Sequence, residues 1–198
     1  MREPIKLSYN YDYFEPYIDS KTMDIHYNKY YLNYLNNVNK LTNNNLINVL
    51  KNIDDVPIEN REYLKHNIGG VLNHELYFDS LGYNNYPSKE FLDIIIKDFG
   101  SFENFKNELI KKANSLVGSG YLFVVINDGK LDIITLSNQD NPYSYGMIPI
   151  IAIDLWEHAY FLNYLNKKDL YVNNIFEIID FNKAFKRYEE NKPSKQKI

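Results

Sequence analysis

The stretch DLWEHAYF, residues 154–161, places two carboxylates (Asp154 and Glu157), the only tryptophan of the chain (Trp156) and a histidine (His158) within five positions. Three readings fit such a stretch: a helix that is polar on one side, an acid/base pair, or part of a metal site. The chain has four histidines, His26, His66, His74 and His158, and no cysteine. Disulfides, thiolate metal sites and thiol nucleophiles are therefore excluded, and any metal must be held by imidazole and carboxylate. Asp154 ends the apolar run IPIIAI. A carboxylate in that position is costly unless it is paired or bound to a cation. Taken alone, Asp154 and His158 also read as a helix N-cap ion-paired with the histidine four residues on.

His26 falls in the middle of a helical pattern. Tyr30 and Tyr34 follow it at i+4 and i+8, drifting about 40° per step, so His26 and Tyr34 look to roughly the same side, two turns apart. His74 falls in the middle of a second helical pattern, one turn after Gly69-Gly70. A mid-helix glycine costs about 1 kcal/mol against alanine, so the pair needs a reason. Close approach of another group beside His74 is one, and tight helix–helix packing is another. His66 stays unplaced. Together, three histidines and one aspartate arrive from a helix, a second helix and a strand–helix junction. Imidazole and carboxylate without sulfur suit Fe or Mn, and also Zn. Four protein ligands leave one position open for water or substrate.

The elements that must carry these residues follow from periodicity. A helix is expected from Ser20 to about Asn44, capped by Asp19 or Ser20, and a second from about Asn60 to Leu81. Residues 43–60, Asn-rich and then acidic, are expected to be a connection. LGYNNYPSK is a linker and marks a division into residues 1–86 and 87–198. Ser88 and Ser101 are the expected caps of two further helices. YLFVVIN-DG-KLDIITLS reads as a β-hairpin around Asp128-Gly129, and MIPIIAI as a third strand. Helical segments return from about 156 to 190, and a disordered tail is expected over 192–198. The fold class is α+β, a long helical hairpin followed by an α/β domain with a three-stranded antiparallel sheet.

The 198 residues are 44% hydrophobic and 24% charged, enough to bury a core. A net charge of −4 argues against a nucleic-acid binder. The chain has no apolar run long enough for a membrane span. Its opening residues lack a signal-peptide pattern, so a cytoplasmic location is expected. Tyrosine is abundant, 19 in all, which a codon bias toward A and T explains without a functional role.

At this point the sequence resembles the iron/manganese superoxide dismutases over about residues 5–190. The resemblance is carried by LSYNYDYFEPYID, MDIHYNKYYLNYLNN, NIGGVLNHELYF, GSGYLFV, SNQDNP and, most specifically, DLWEHAYFLNY. It implies that His26, His74, Asp154 and His158 bind the metal and that Trp156 walls the site. It implies that Glu157 reaches across a homodimer interface to His158 of the other subunit, with a tetramer as a further arrangement. The implied reaction converts superoxide to O2 and hydrogen peroxide as Mn or Fe cycles between M(III) and M(II), with a proton relay through Gln139 and Tyr34. A glutamine supplied by the loop, with Gly70 on the helix, is the manganese-type arrangement, in which the missing side chain of Gly70 makes room for Gln139. Iron use fits the same ligands.

Departures from the family pattern are Tyr30, Tyr31 and Val71, where histidines are common. Tyr30 sits where a histidine contacts a tyrosine of the partner subunit, here assigned to Tyr160. Phe78, Tyr121, Phe123 and Phe181 stand where the family carries tryptophans, which keeps aromatic bulk at the site wall. Two rival classes follow: a dismutase-like metal-binding structural protein with weak or no turnover, motivated by Tyr30, and a different metalloenzyme. A non-haem iron oxygenase needs more open positions than a fourth ligand leaves. A zinc hydrolase needs a general base, and Glu157 is committed elsewhere.

Overall fold

The computed structural model describes residues 1–192. The tail expected to be disordered lies, beyond Lys192, outside the described residues. Helix α1 (Ser20–Ile25) starts at Asp19, whose carboxylate accepts from the backbone N–H groups of Lys21 and Thr22. A π-helical turn (His26–Tyr31) follows, and α2 (Leu32–Leu41) completes the first arm. The straight helix expected over Ser20–Asn44 is thus interrupted. The Leu32 N–H bonds to the Tyr27 carbonyl, five residues back, which widens the helix at the histidine. Such bulges are frequent at functional sites.

The connection expected over residues 43–60 instead contains helix α3 (Leu46–Lys51), capped by Asn45. Its signal is short: Leu46 and Leu50 one turn apart, both buried, among asparagines that mask the pattern. Helix α3 packs on the single helical turn at Pro142–Tyr145 and on α4. Helix α4 (Ile58–Ser80) follows Pro57 and packs between α2 and strand β3. Its central residues, Asn67 to Val71, Asn73, His74, Tyr77 and Phe78, are buried. A helix enclosed on several sides has no strong polar face there.

Helices α5 (Lys89–Phe99) and α6 (Phe102–Ser115) begin at Ser88 and Ser101, whose hydroxyls accept from the N–H groups of Phe91 and Asn104. Strands β1 (Gly120–Asn127), β2 (Lys130–Ser137) and β3 (Ile148–Asp154) form one antiparallel sheet in the order β2-β1-β3. Asp128 and Gly129 both have positive φ, 47° and 78°, the geometry of a type I′ hairpin turn. Strand β1 is central, which explains its unbroken apolar run. It places Tyr121 directly opposite Asp154 on β3. Helices α7 (Phe161–Tyr164), α8 (Lys168–Phe176) and α9 (Phe181–Asn191) close the domain, with α9 against β3. Among the described residues no helix is long and apolar enough to cross a membrane.

Because α3 supports the turn after the Gln139 loop, Leu50→Ala is expected to lower stability by about 2–5 kcal/mol through the cavity it leaves. Chemical denaturation of the variant against the unaltered chain checks this.

Candidate metal centre

The π-helical turn, α4, the end of β3 and the turn after it bring His26, His74, Asp154 and His158 together. One ligand atom from each lies within 4.8 Å of every other. His26 Nε2 is 3.0 Å from Asp154 Oδ2, His158 Nε2 3.2 Å and His74 Nε2 3.9 Å. Ligands about 2 Å from one ion stand roughly 3–4 Å apart, so the spacing fits a single metal. His26, His74 and Asp154 are fully buried, and the His158 side chain is 9% exposed.

Local structure sets each donor. His74 Nδ1 lies 2.5 Å from the Gly70 carbonyl. A carbonyl only accepts, so Nδ1 carries the proton and Nε2 offers its lone pair to the cluster. Asp154 Oδ1 accepts the Trp156 N–H at 2.8 Å, which leaves Oδ2 facing the imidazoles. Tyr171 donates to the Asp154 backbone carbonyl at 2.9 Å. His26 Nδ1 has no hydrogen-bond partner among the described residues.

Burial lowers His26 to about 4, against the opposing hydrogen bond to Asp154. Burial and the neighbouring His26 lower His74 to about 3. Both rings are therefore neutral at pH 7 and free to act as donors. Burial works to raise the Asp154 carboxyl, but the charge and hydrogen bond of His158, with those of His26, hold it well below its usual range. An ionised carboxylate sealed from water is unfavourable without a cation. This donor set fits Mn or Fe.

Aromatic rings close the site. Tyr30 stacks on His158 with centroids 4.0 Å apart, and Trp156 lies over it at 5.8 Å, its indole N–H donating to the Asn138 carbonyl. Phe78 meets His26 at 5.1 Å, and Phe123 backs Tyr121 at 5.8 Å. Phe181 belongs elsewhere: it packs among Phe91, Phe102, Phe105 and Phe176 and does not wall the site.

Gln139 is buried on the loop after β2. Its amide Nε2 is 3.5 Å from the Tyr34 hydroxyl. The Asn73 amide donates to Gln139 Oε1 at 3.2 Å, and Asn141 donates to Asn73 Oδ1 at 2.8 Å. These bonds fix which end of the Gln139 amide faces Tyr34.

The role expected for Gly70 needs correction. A methyl group there would overlap the ring of Tyr34, whereas a methyl on Gly69 would overlap the Gln139 backbone carbonyl. Gly70 makes room for Tyr34, and Gly69 makes room for the Gln139 loop. Tyr160 is the residue assigned to the partner contact. It is buried within its own subunit, 6% exposed, and stacks on Tyr171 at 4.9 Å. The next residue, Phe161, is the exposed one. Glu157 is exposed, and its side chain has no hydrogen bond or ion pair among the described residues. His66 stands outside the cluster, exposed, with its ring 5.6 Å from that of Tyr34.

Sequence reasoning missed Asn73, Asn141, Tyr171 and the Tyr121 hydroxyl, which lies 2.6 Å from Asp154 Oδ2. Asn73 had a signal, a polar residue one position before His74 on a buried helix. The others depend on strand register and loop path.

Residues 3–82 match the alpha-hairpin domain, and residues 87–187 the C-terminal domain, of the iron/manganese superoxide dismutases. Proteins named superoxide dismutase (Mn/Fe) 2 from Staphylococcus aureus strains Mu50 and N315 are each 38% identical over 192 residues, covering 94% of this chain and 96% of the relative. The same protein from the bovine strain RF122 is similar to the same extent. With both domains matched in order around one His/Asp cluster, the chain belongs to the iron/manganese superoxide dismutase family.

Proposed function

We propose that this chain converts superoxide to O2 and hydrogen peroxide at a Mn or Fe ion held by His26, His74, Asp154 and His158. The observation that carries the reading is the convergence of three imidazoles and one buried carboxylate, within 4.8 Å of one another, in a chain of this family. When bound, the metal supplies a one-electron couple between its divalent and trivalent states.

The chain's own residues do the rest. Asp154 supplies the negative charge that favours a trivalent ion, and the neutral imidazoles keep the divalent ion within reach. Tyr30, Phe78 and Trp156 exclude bulk water, which strengthens every electrostatic interaction inside. Peroxide formation consumes two protons. Burial raises the Tyr34 hydroxyl above its ordinary value of 10, so it carries its proton at neutral pH and serves as a donor. Gln139 links that hydroxyl to the centre, and Asn73 orients Gln139.

Preference for manganese is part of the proposal. It is supported by delivery of the glutamine from the loop after β2, and by the Tyr34 ring filling the space a side chain at position 70 would need. A homodimer, or a tetramer built from it, is supported by the unpartnered Glu157 and the exposed Phe161, Leu162 and Leu165 that follow it. The division near residue 86 belongs to the same reading. One observation favours a weak-turnover alternative: Tyr30 occupies the face of His158 where the resemblance leads one to expect a histidine nearby.

Superoxide decay is to be followed by stopped flow on protein loaded separately with Mn and with Fe, normalised to bound metal. Fast decay with Mn and slow decay with Fe is the expected result. Comparable rates would remove the manganese preference, and bound metal without decay would favour the structural reading. Asn73→Ala, which frees the Gln139 amide to rotate, is expected to cut the rate per metal about 10–100-fold with metal content retained. Glu157→Gln is expected to shift the chain toward monomer in analytical ultracentrifugation, because the partner-facing carboxylate loses its charge.

A further inference from the structure

Tyr121 is fully buried on the central strand. Its register opposite Asp154 puts both side chains on one face of the sheet. The phenol oxygen lies 2.6 Å from Asp154 Oδ2, the oxygen that also faces His26 and His158. It stands 3.3 Å and 3.4 Å from Nδ1 and Nε2 of His74. Near-equal distances place it against that ring rather than on either nitrogen's lone pair, and Nδ1 is already committed to the Gly70 carbonyl. Asp154 Oδ2 is therefore its acceptor. The other carboxylate oxygen is occupied by the Trp156 N–H.

We propose that Tyr121 is a positioning residue that donates its hydroxyl hydrogen to Asp154 Oδ2, and so sets how strongly that carboxylate donates to the metal. A hydrogen bond to an anionic ligand draws its charge away from the ion. A weaker anionic donor stabilises the trivalent state less and the divalent state relatively more. Tyr121 thereby raises the reduction potential of the centre. No proton leaves Tyr121 in the cycle, and its ring position holds Oδ2 toward the imidazoles while Trp156 holds Oδ1. The inference rests on the metal-centre reading above.

The test is a mediated redox titration of metal-loaded protein, followed by the absorption of the trivalent ion, which needs no turnover. Tyr121→Phe keeps the ring and removes only the hydroxyl; its midpoint potential is expected below that of the unaltered chain, with either metal. Tyr171→Phe removes a buried hydroxyl that bonds the Asp154 main chain instead, and is expected to leave the potential unmoved. An unchanged potential in Y121F overturns the proposal, as does an equal drop in Y171F. The ferric form is expected to lack a phenolate-to-iron charge-transfer band; such a band, lost in Y121F, would make Tyr121 a ligand and overturn the donor role. Should Y121F not accumulate as folded protein, Y121W also lacks the hydroxyl and is expected to fall on the same side. An unaltered chain that holds no metal would overturn this inference together with the metal reading, whereas bound metal with an unmoved potential overturns this inference alone.

Discussion

The burial of one carboxylate, Asp154, is the constraint on which the rest of this structure depends. Removing an ion from water costs several kcal/mol even after the protein relaxes, and Asp154 sits, fully buried, at the end of the apolar strand β3. Its neighbours answer part of that cost: the Trp156 N–H on one oxygen, the Tyr121 hydroxyl on the other, and Tyr171 on its backbone carbonyl, while the His26 and His158 imidazoles face the second oxygen. These groups come from the π-helical turn, β1, α8 and the turn after β3. No two consecutive elements supply them, so the centre exists only when hairpin and sheet have docked.

Helix α4 is what makes that docking possible. It lies between the first arm and β3, and carries His74 and Asn73 side by side on buried faces. Two other groups must come closer to its axis than a methyl allows. The Gln139 carbonyl comes up at Gly69 and the Tyr34 ring at Gly70. The glycine pair costs helix propensity and lets the Gln139 loop and the Tyr34 ring pack against one helix. The Gly70 carbonyl then fixes the tautomer of His74. Packing and the orientation of the His74 imidazole thus meet within two turns of one helix.

Much of this was legible in the sequence because periodicity and punctuation carry it. The Asp128-Gly129 hairpin, the serine caps at 88 and 101, the run ending at Asp154 and the spacing of the histidines each have a local physical cause. What was not legible depended on distant contacts. Helix α3 is six residues long and gains its stability from packing on α4 rather than from its own pattern. The π-helical turn leaves no mark in hydrophobic spacing. The room expected at Gly70 for Gln139 is taken by Tyr34, and the Gln139 backbone comes up at Gly69, because the path of that loop over α4 is a tertiary fact.

The abundance of tyrosine illustrates how composition and site chemistry separate. A compositional bias explains why tyrosine is common, but not why particular hydroxyls end on buried acceptors. A buried hydroxyl without a partner costs about 1–3 kcal/mol, so each buried tyrosine either finds an acceptor or weakens the fold. Tyr31 reaches Glu75, Tyr171 the Asp154 carbonyl and Tyr121 the Asp154 carboxylate. Replacing a tryptophan by tyrosine at such a place keeps the ring but moves the polar handle from an indole N–H to a phenol O–H at the ring's far end. That handle then selects a different acceptor. At Tyr121 the acceptor in reach is the Asp154 carboxylate itself, so a ring that reads in the sequence as aromatic bulk makes an electrostatic contact with the His/Asp cluster.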